Sequence, residues 1–305
     1  MTQTDYQSLI DAPTWAFITR TADSYPDHTA TASVADQRRI YDAMCRDFDH
    51  GRPPGITARD HAVAGVPCRD YAGAAATVVY LHGGGFVVGG LHSHDDICAE
   101  ICAATGLRVV SVDYRLSPEH AHPAALDDTL AVARAVLADG PVVLAGDSAG
   151  GNLAAAATHA LRGHPGLRGQ VLIYAGLGGD IGTGSYLTHA HAPMLTRDDV
   201  LFYQGIRQNA PGDPTAAPLL NPDLTGLPPT VAVSAECDPI AEDGLHYCAR
   251  LTAAGNRAHC IVEPGLVHGY LRARHMVPRA AASFARITAA ITALAHGHWP
   301  YGDAR

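Results

Sequence analysis

The sequence contains no lysine, so all 21 of its basic side chains are arginine. This absence excludes catalysis by a lysine nucleophile or through a lysine Schiff base. The formal net charge of −9 disfavours nucleic acid or an anionic membrane surface as the main partner. The N-terminus is polar and lacks a signal-peptide pattern, and no apolar run is long enough to span a bilayer. We therefore expect a cytoplasmic protein without stable membrane association.

A disulfide framework and a metal site are also not expected. The seven cysteines are odd in number and spread thinly through 305 residues. Cys98 and Cys102 fall one helical turn apart, which favours small buried residues over a metal or redox pair. His92 to Asp96 contain metal-ligand residue types, but a loop that enters a helix explains them better. The sequence therefore predicts no cofactor and no metal.

The chain does contain a series of short, continuous apolar runs that are typical of strands buried on both faces. These runs lie at residues 77–81, 108–112, 142–145, 171–174, 230–234 and 259–262. The segment 56–66 is interpreted as one or two further antiparallel strands. Helix-like stretches alternate with the runs, and this alternation predicts right-handed βαβ crossovers around a parallel sheet.

Capping signals bound the helices of this alternation. Ser93 is expected to cap the first helix, with Asp96 at its third position and Gly106 at its end. Further helices are predicted at residues 124–138, 148–163, 243–254 and 279–295.

Two segments interrupt the alternation and are interpreted as a cap. Residues 1–50 form a helical N-terminal cap segment, and residues 183–225 form a cap insertion. The core, in two parts, then comprises residues 51–182 and 226–305. The long interval before Pro229 is expected to hold one helix, which Thr196 and Asp199 would begin as a capping box. We expect the two cap segments to pack together over the site.

Ser148 lies between Gly146 and Gly150, at the junction of an apolar run and an alanine-rich helix. Glycines at these positions allow the tight strand-to-helix turn that exposes a nucleophilic hydroxyl. The pattern alone is weak, and a helix-capping serine is the alternative. Its position between a strand and a helix favours the nucleophile.

A second motif, His82-Gly83-Gly84-Gly85-Phe86, follows another apolar run. Successive glycines can turn their N–H groups into a cavity because no side chain blocks the approach. In an acyl-transfer site, the amides of Gly83, Gly84 and Ala149 would form the oxyanion hole. A phosphate-binding or flexible loop remains the alternative, although no nucleotide-binding motif accompanies the run.

A serine nucleophile needs a base and an orienting acid, which follow it along the chain in this kind of fold. Asp238 comes directly after the penultimate predicted strand, and His268 comes after the last one. Asp180, which follows an earlier strand, is the alternative acid.

Taken together, these motifs resemble the hormone-sensitive-lipase-like branch of the α/β-hydrolases. The resemblance covers about residues 75–275 in the family order and rests on His82–Gly85, Asp113–His120, Pro123–Asp128, Gly146–Asn152, Leu227–Pro229, Cys237–Pro239 and His268–Tyr270. It implies an α/β-hydrolase fold, with a mostly parallel eight-stranded sheet, helices on both faces and a helical cap.

The same resemblance implies a serine carboxylester hydrolase that acts on short- to medium-chain acyl esters. Ser148 would be the nucleophile, His268 the base and then the acid, and Asp238 its orienting partner, while His82 would anchor the glycine loop. The partner would be a small-molecule ester, and a homodimer is possible for such a fold. An amidase, lactonase or peptidase on the same machinery is one alternative. A non-catalytic small-molecule receptor is the other.

Overall fold

The computed structural model describes residues 4–26 and 29–302, and these contain one eight-stranded sheet. Its strands follow the order β1-β2-β4-β3-β5-β6-β7-β8 across the sheet. The strands β1 and β2 pair antiparallel, as do β2 and β4, and the remaining pairs are parallel. The bounds are β1 (Ala58–Val63), β2 (Val66–Tyr71), β3 (Ala74–Leu81), β4 (Leu107–Val112), β5 (Val142–Asp147), β6 (Leu167–Ile173), β7 (Thr230–Cys237) and β8 (Ala258–Val267). The predicted α/β-hydrolase fold is confirmed.

Helices cover both faces of this sheet, which is why the inner strands read as continuous apolar runs. The helices are α1 (Tyr6–Leu9), α2 (Ala12–Asp23), α3 (Val34–Asp47), α4 (Asp95–Thr105), α5 (Ala124–Asp139), α6 (Ala149–Ala160), α7 (Gly184–Thr188), α8 (Arg197–Arg207), α9 (Ala241–Ala253) and α10 (Pro278–Ala295). On one face α4, α10 and the N-terminal helices pack against alternate strand residues. On the other face α5, α6 and α9 cover the residues between them.

Two details of the helix predictions are wrong. The first crossover helix begins at Asp95 with His94 at its N-cap, and Ser93 does not cap it. The Ser93 hydroxyl instead bonds to the backbone of Gly90, with which it forms a turn that leads into the helix. The cap insertion holds the short helix α7 as well as the expected α8, which begins with the predicted capping box at Thr196 and Asp199.

The topology determines where a site can form. The carboxyl ends of the parallel strands β5, β7 and β8 lie at one edge of the sheet, and α/β proteins bind their ligands at this edge. The helices in the described part of the chain do not combine the length and the apolar character that crossing a membrane requires.

Candidate active site

Ser148 occupies a sharp turn between β5 and α6. Its backbone lies at φ 53° and ψ −117°, a conformation that L residues rarely adopt and that costs on the order of 1–3 kcal/mol. The turn requires glycine at both flanks, because a Cβ on Gly150 would overlap the carbonyl of Leu81 and a Cβ on Gly146 would collide with Gly150. The hydroxyl is thereby held out from the sheet and stays partly exposed.

Asp238 and His268 lie beside this serine, although they are far apart in the sequence. The Ser148 hydroxyl lies 2.9 Å from Nε2 of His268, and Nδ1 of the same ring lies 2.7 Å from Oδ2 of Asp238. Asp238 is completely buried, and its other oxygen accepts the backbone N–H of Ile240 at 3.1 Å. Asp180, the alternative acid, instead accepts the N–H of Gly182 in its own loop. The structure therefore brings together Ser148, His268 and Asp238.

The glycine loop follows β3 and lies against the serine turn. The N–H of Gly83 donates to Oδ1 of Asp147 at 3.0 Å, so this amide is already engaged and cannot also face an oxyanion. Gly84, Gly85 and Ala149 do line the cavity that contains Ser148, whereas Gly83 does not. The expectation that the Gly83 N–H binds the oxyanion is therefore corrected, because this N–H instead holds the loop against Asp147.

Asp147, the residue before the serine, is the centre of a buried polar network. It accepts hydrogen bonds from the hydroxyl of Tyr80 at 2.8 Å and from the Gly83 N–H, and Nε2 of His94 lies 3.3 Å from Oδ1. Burial by itself raises the pKa of Asp147, but His94 and the Tyr80 hydroxyl hold that pKa well below its usual range. Asp147 is thus an ionised carboxylate that ties the glycine loop to the serine turn.

His82 begins the glycine loop and is also fully buried. Its Nδ1–H donates to the carbonyl of Gly83 at 2.8 Å, and its ring stacks on Tyr114 at 4.2 Å between centroids. Burial, with the nearby His94, lowers the pKa of His82 to about 3, so the ring is neutral. These contacts fit the predicted anchoring role of His82.

Sequence reasoning missed Asp147, His94 and Arg272 as parts of the site. Arg272 follows the His268 turn and is buried; it donates to the carbonyl of Ser93 at 2.8 Å and to the hydroxyl of Tyr41 at 2.7 Å. The only signal for Asp147 was its place beside Ser148, and His94 lay inside a cluster with metal-ligand residue types. The described residues contain no group of three or more side chains that could hold a metal ion.

Ser148 and His268 open into a cavity of about 1340 Å³. This volume exceeds the roughly 300–1,000 Å³ of a usual small-molecule site. The N-terminal segment contributes residues such as Ile18, Tyr25 and Met44, and α8 contributes residues such as Tyr203. The lining is thus built from the core and from both of the segments that were expected to cap it.

One of these segments contacts the glycine loop itself, and the other contacts the residue that directly follows it. Arg38 of α3 donates through Nε to the carbonyl of Val87 at 2.8 Å and through Nη2 to that of Ser117 at 3.0 Å. The ring of Tyr203 on α8 occupies the space that a Cβ on Gly85 would need. The N-terminal helices and α8 therefore enclose the serine together with the loop.

Comparison with known proteins agrees with the fold and indicates the class of enzyme. A family model described as alpha/beta hydrolase fold matches residues 78–272. Carboxylesterase NlhH of Mycobacterium tuberculosis is 40% identical over 237 residues, which cover 72% of this chain and 74% of NlhH. A solved hyperthermophilic esterase of the archaeon Pyrobaculum calidifontis is 31% identical, with a TM-score of 0.81 over 87% of this chain and 95% of that one. A solved esterase from the bacterial hormone-sensitive lipase family is 29% identical, with a TM-score of 0.84 over 92% and 98% of the two chains.

Proposed function

The chain belongs to the α/β-hydrolase fold family and is a carboxylesterase, and we propose that it hydrolyses small-molecule esters through an acyl-enzyme on Ser148. The Ser148 oxygen attacks the ester carbonyl carbon while Nε2 of His268 accepts the hydroxyl proton. The tetrahedral intermediate collapses, and the leaving alcohol takes this proton from His268. Water then attacks the acyl-enzyme with His268 again as the base, which releases the acid and restores Ser148. The hydrogen-bonded series from Ser148 through His268 to Asp238 carries the proposal.

Asp238 is proposed to fix the tautomer of His268. A carboxylate accepts hydrogen bonds only, so Nδ1 must carry the proton that lies between it and Oδ2 of Asp238. Nε2 is then left with a lone pair that faces the Ser148 hydroxyl. The complete burial of Asp238 strengthens this interaction, because no water competes for the carboxylate.

The developing oxyanion is proposed to be bound by the backbone N–H groups of Gly84, Gly85 and Ala149. All three residues line the cavity beside Ser148, and Ala149 begins α6, whose N-terminal dipole favours negative charge. Gly84 and Gly85 have φ values of 128° and 59°, which glycine adopts without strain. Loss of one such donor costs roughly 3–4 kcal/mol of transition-state stabilisation in serine hydrolases.

We further propose that the protein belongs to the hormone-sensitive-lipase-like branch and that residues 1–50 and 183–225 form its cap. The contacts of Tyr203 with Gly85 and of Arg38 with Val87, which directly follows the glycine loop, support this division of the chain. A cap that encloses the serine restricts access by large, aggregated substrates. Short- to medium-chain acyl esters are therefore the proposed substrates.

A series of p-nitrophenyl esters graded by acyl length tests this proposal. We expect hydrolysis that is fastest with short or medium acyl groups and that Ser148→Ala abolishes without loss of fold. Hydrolysis at the wild-type rate by the folded Ser148→Ala variant would contradict the role of Ser148. Faster hydrolysis of long-chain triglyceride emulsions than of the short esters would contradict the proposed substrate size.

A further inference from the structure

Arg207, the last residue of α8, is a buried cation in the wall of the active-site cavity. Its side chain lines the cavity, and only 5% of the residue is exposed. The guanidinium lies 3.8 Å from the centre of the Phe86 ring, and Nη1 donates to the carbonyl of Ala216 at 2.9 Å. In the part of the chain that the structure describes, Nη2 has no hydrogen-bond partner.

A buried charge without a counter-ion is costly, and proteins usually pair such groups. Burial lowers the pKa of Arg207 to about 10, which reflects this cost. Asp213 attracts the guanidinium electrostatically. Its carboxylate is nevertheless engaged by other groups, because it lies 3.3 Å from Nε2 of His122 and accepts the N–H of Thr215. The carboxyl end of α8 and the face of Phe86 stabilise the cation in part, but neither is an anion.

The position of Arg207 connects it to the reacting serine from two sides. Phe86, on which the guanidinium stacks, directly follows the proposed oxyanion donor Gly85. The carbonyl of Ala216 also accepts Nδ2 of Asn152, whose own N–H donates to the carbonyl of Ser148 at 3.1 Å. Ser148 and Arg207 line the same cavity, so an ester bound at Ser148 can present one of its two ends to Arg207.

We propose that Arg207 binds a carboxylate of the substrate, so that the preferred esters carry one carboxylate in addition to the ester bond. This inference rests on the proposed ester hydrolysis at Ser148. A guanidinium matches a carboxylate in shape and supplies charge-assisted hydrogen bonds. The cavity also contains Asp198 and Asp199, roughly 12–14 Å from Arg207 at the other end of α8. These acidic groups disfavour a dianion such as phosphate more than a singly charged carboxylate.

Matched pairs of esters test this subsite. In the first pair, monoethyl glutarate is compared with its neutral terminal amide, which places the charge on the acyl side. In the second pair, the acetate ester of 4-hydroxybutyrate is compared with that of 4-hydroxybutyramide, which places the charge on the alcohol side. At about pH 8 both carboxylates are ionised. We expect kcat/KM of the wild type to favour the charged member of one pair by about tenfold or more.

Variants of Arg207 separate substrate binding from a purely structural role. Arg207→Gln should remove this preference by slowing hydrolysis of the charged ester, and Arg207→Lys should keep part of it. Arg250→Gln is the matched control, because Arg250 also donates to backbone carbonyls of the cap insertion, those of Leu219 and Asn221, but lies outside the cavity. We expect this control to keep the wild-type preference.

The wild type could hydrolyse the neutral esters and show no preference for the charged member of either pair. This result would overturn the subsite and leave the proposed esterase mechanism intact. An equal loss of both activities in Arg207→Gln would also overturn it, since Arg207 would then only support the fold. If Arg207→Gln does not fold, the wild-type preference decides. Failure of the wild type to hydrolyse p-nitrophenyl butyrate would instead refute the proposed function.

Discussion

Replacement of Asp147 by asparagine is expected to weaken both the fold and catalysis. The carboxylate accepts hydrogen bonds from the Tyr80 hydroxyl at 2.8 Å and from the Gly83 N–H at 3.0 Å, and His94 lies beside it. Asparagine has one acceptor oxygen, and its amide N–H groups would face the remaining donors. At least one charge-assisted hydrogen bond is lost and one buried donor is left without an acceptor.

Each of these two effects is worth roughly 1–3 kcal/mol, so Asp147→Asn should lower the free energy of unfolding at neutral pH by about 2–6 kcal/mol. The pKa of Asp147 is held below its usual range in the folded state, so the carboxylate stabilises the fold above the unfolded-state pKa of about 4. This contribution is lost as the pH falls below that value. The difference in stability between the wild type and Asp147→Asn should therefore shrink under acidic conditions.

The glycine loop should also shift relative to Ser148. We expect this shift to lower kcat about 10- to 100-fold with a smaller change in KM. Guanidinium unfolding and p-nitrophenyl butyrate kinetics measure the two effects. Asp139→Asn, a change at an exposed carboxylate, is the control and should alter stability by less than about 0.5 kcal/mol. An Asp147→Asn variant with the stability and kcat of this control would refute the reasoning.

Three further variants test other parts of the account. Asp238→Asn should lower kcat about 10³- to 10⁴-fold, because His268 loses the acceptor that fixes its tautomer, and a steady-state loss of less than about tenfold would count against this role. Gly150→Ala should destabilise the fold by roughly 3 kcal/mol or more, since the added methyl group would overlap the carbonyl of Leu81; an unfolding curve like that of the wild type would contradict the tight turn. Arg38→Gln should raise KM several-fold, because α3 loses hydrogen bonds to Ser117 and to Val87, which directly follows the glycine loop, and an unchanged KM would show that α3 does not shape the cavity.

The fold was predictable because its signals are local. Continuous apolar runs marked β3 to β8, and the order of strands and helices then restricted the topology to a doubly covered parallel sheet. The same order placed Asp238 and His268 after the last two strands, so that both side chains could be selected among 18 histidines and 30 acidic residues. The order of the strands along the chain was therefore sufficient to predict that Asp238, His268 and Ser148 lie at the same edge of the sheet.

The network behind the serine was not predictable, because it depends on contacts between residues that are far apart in the chain. His94 meets Asp147 only because α4 and the serine turn pack side by side, and Arg272 reaches Ser93 across 179 positions. No pattern in the sequence distinguishes the buried His94 and Arg272 from a histidine or an arginine on the surface. The wrong helix cap at Ser93 has a local origin instead, since its hydroxyl closes a turn with Gly90.

The glycine loop shows the limit of a motif. Three successive glycines indicated free backbone donors, but the sequence did not reveal which of them would face the cavity. That choice follows from the Asp147 carboxylate, which already binds the N–H of Gly83. Arg207 likewise gave no signal in the sequence, because the lack of a hydrogen-bonded anionic partner among residues 4–26 and 29–302 becomes visible only in the folded chain.

The most direct test of the central claim is labelling with a serine-directed fluorophosphonate, followed by peptide mass spectrometry. The mechanism predicts one adduct per chain on the Ser148 hydroxyl, no adduct in Ser148→Ala, and much slower labelling in a folded variant without His268. A folded wild-type protein that remains unlabelled, or an adduct on another residue, would contradict the claim that Ser148 is the nucleophile.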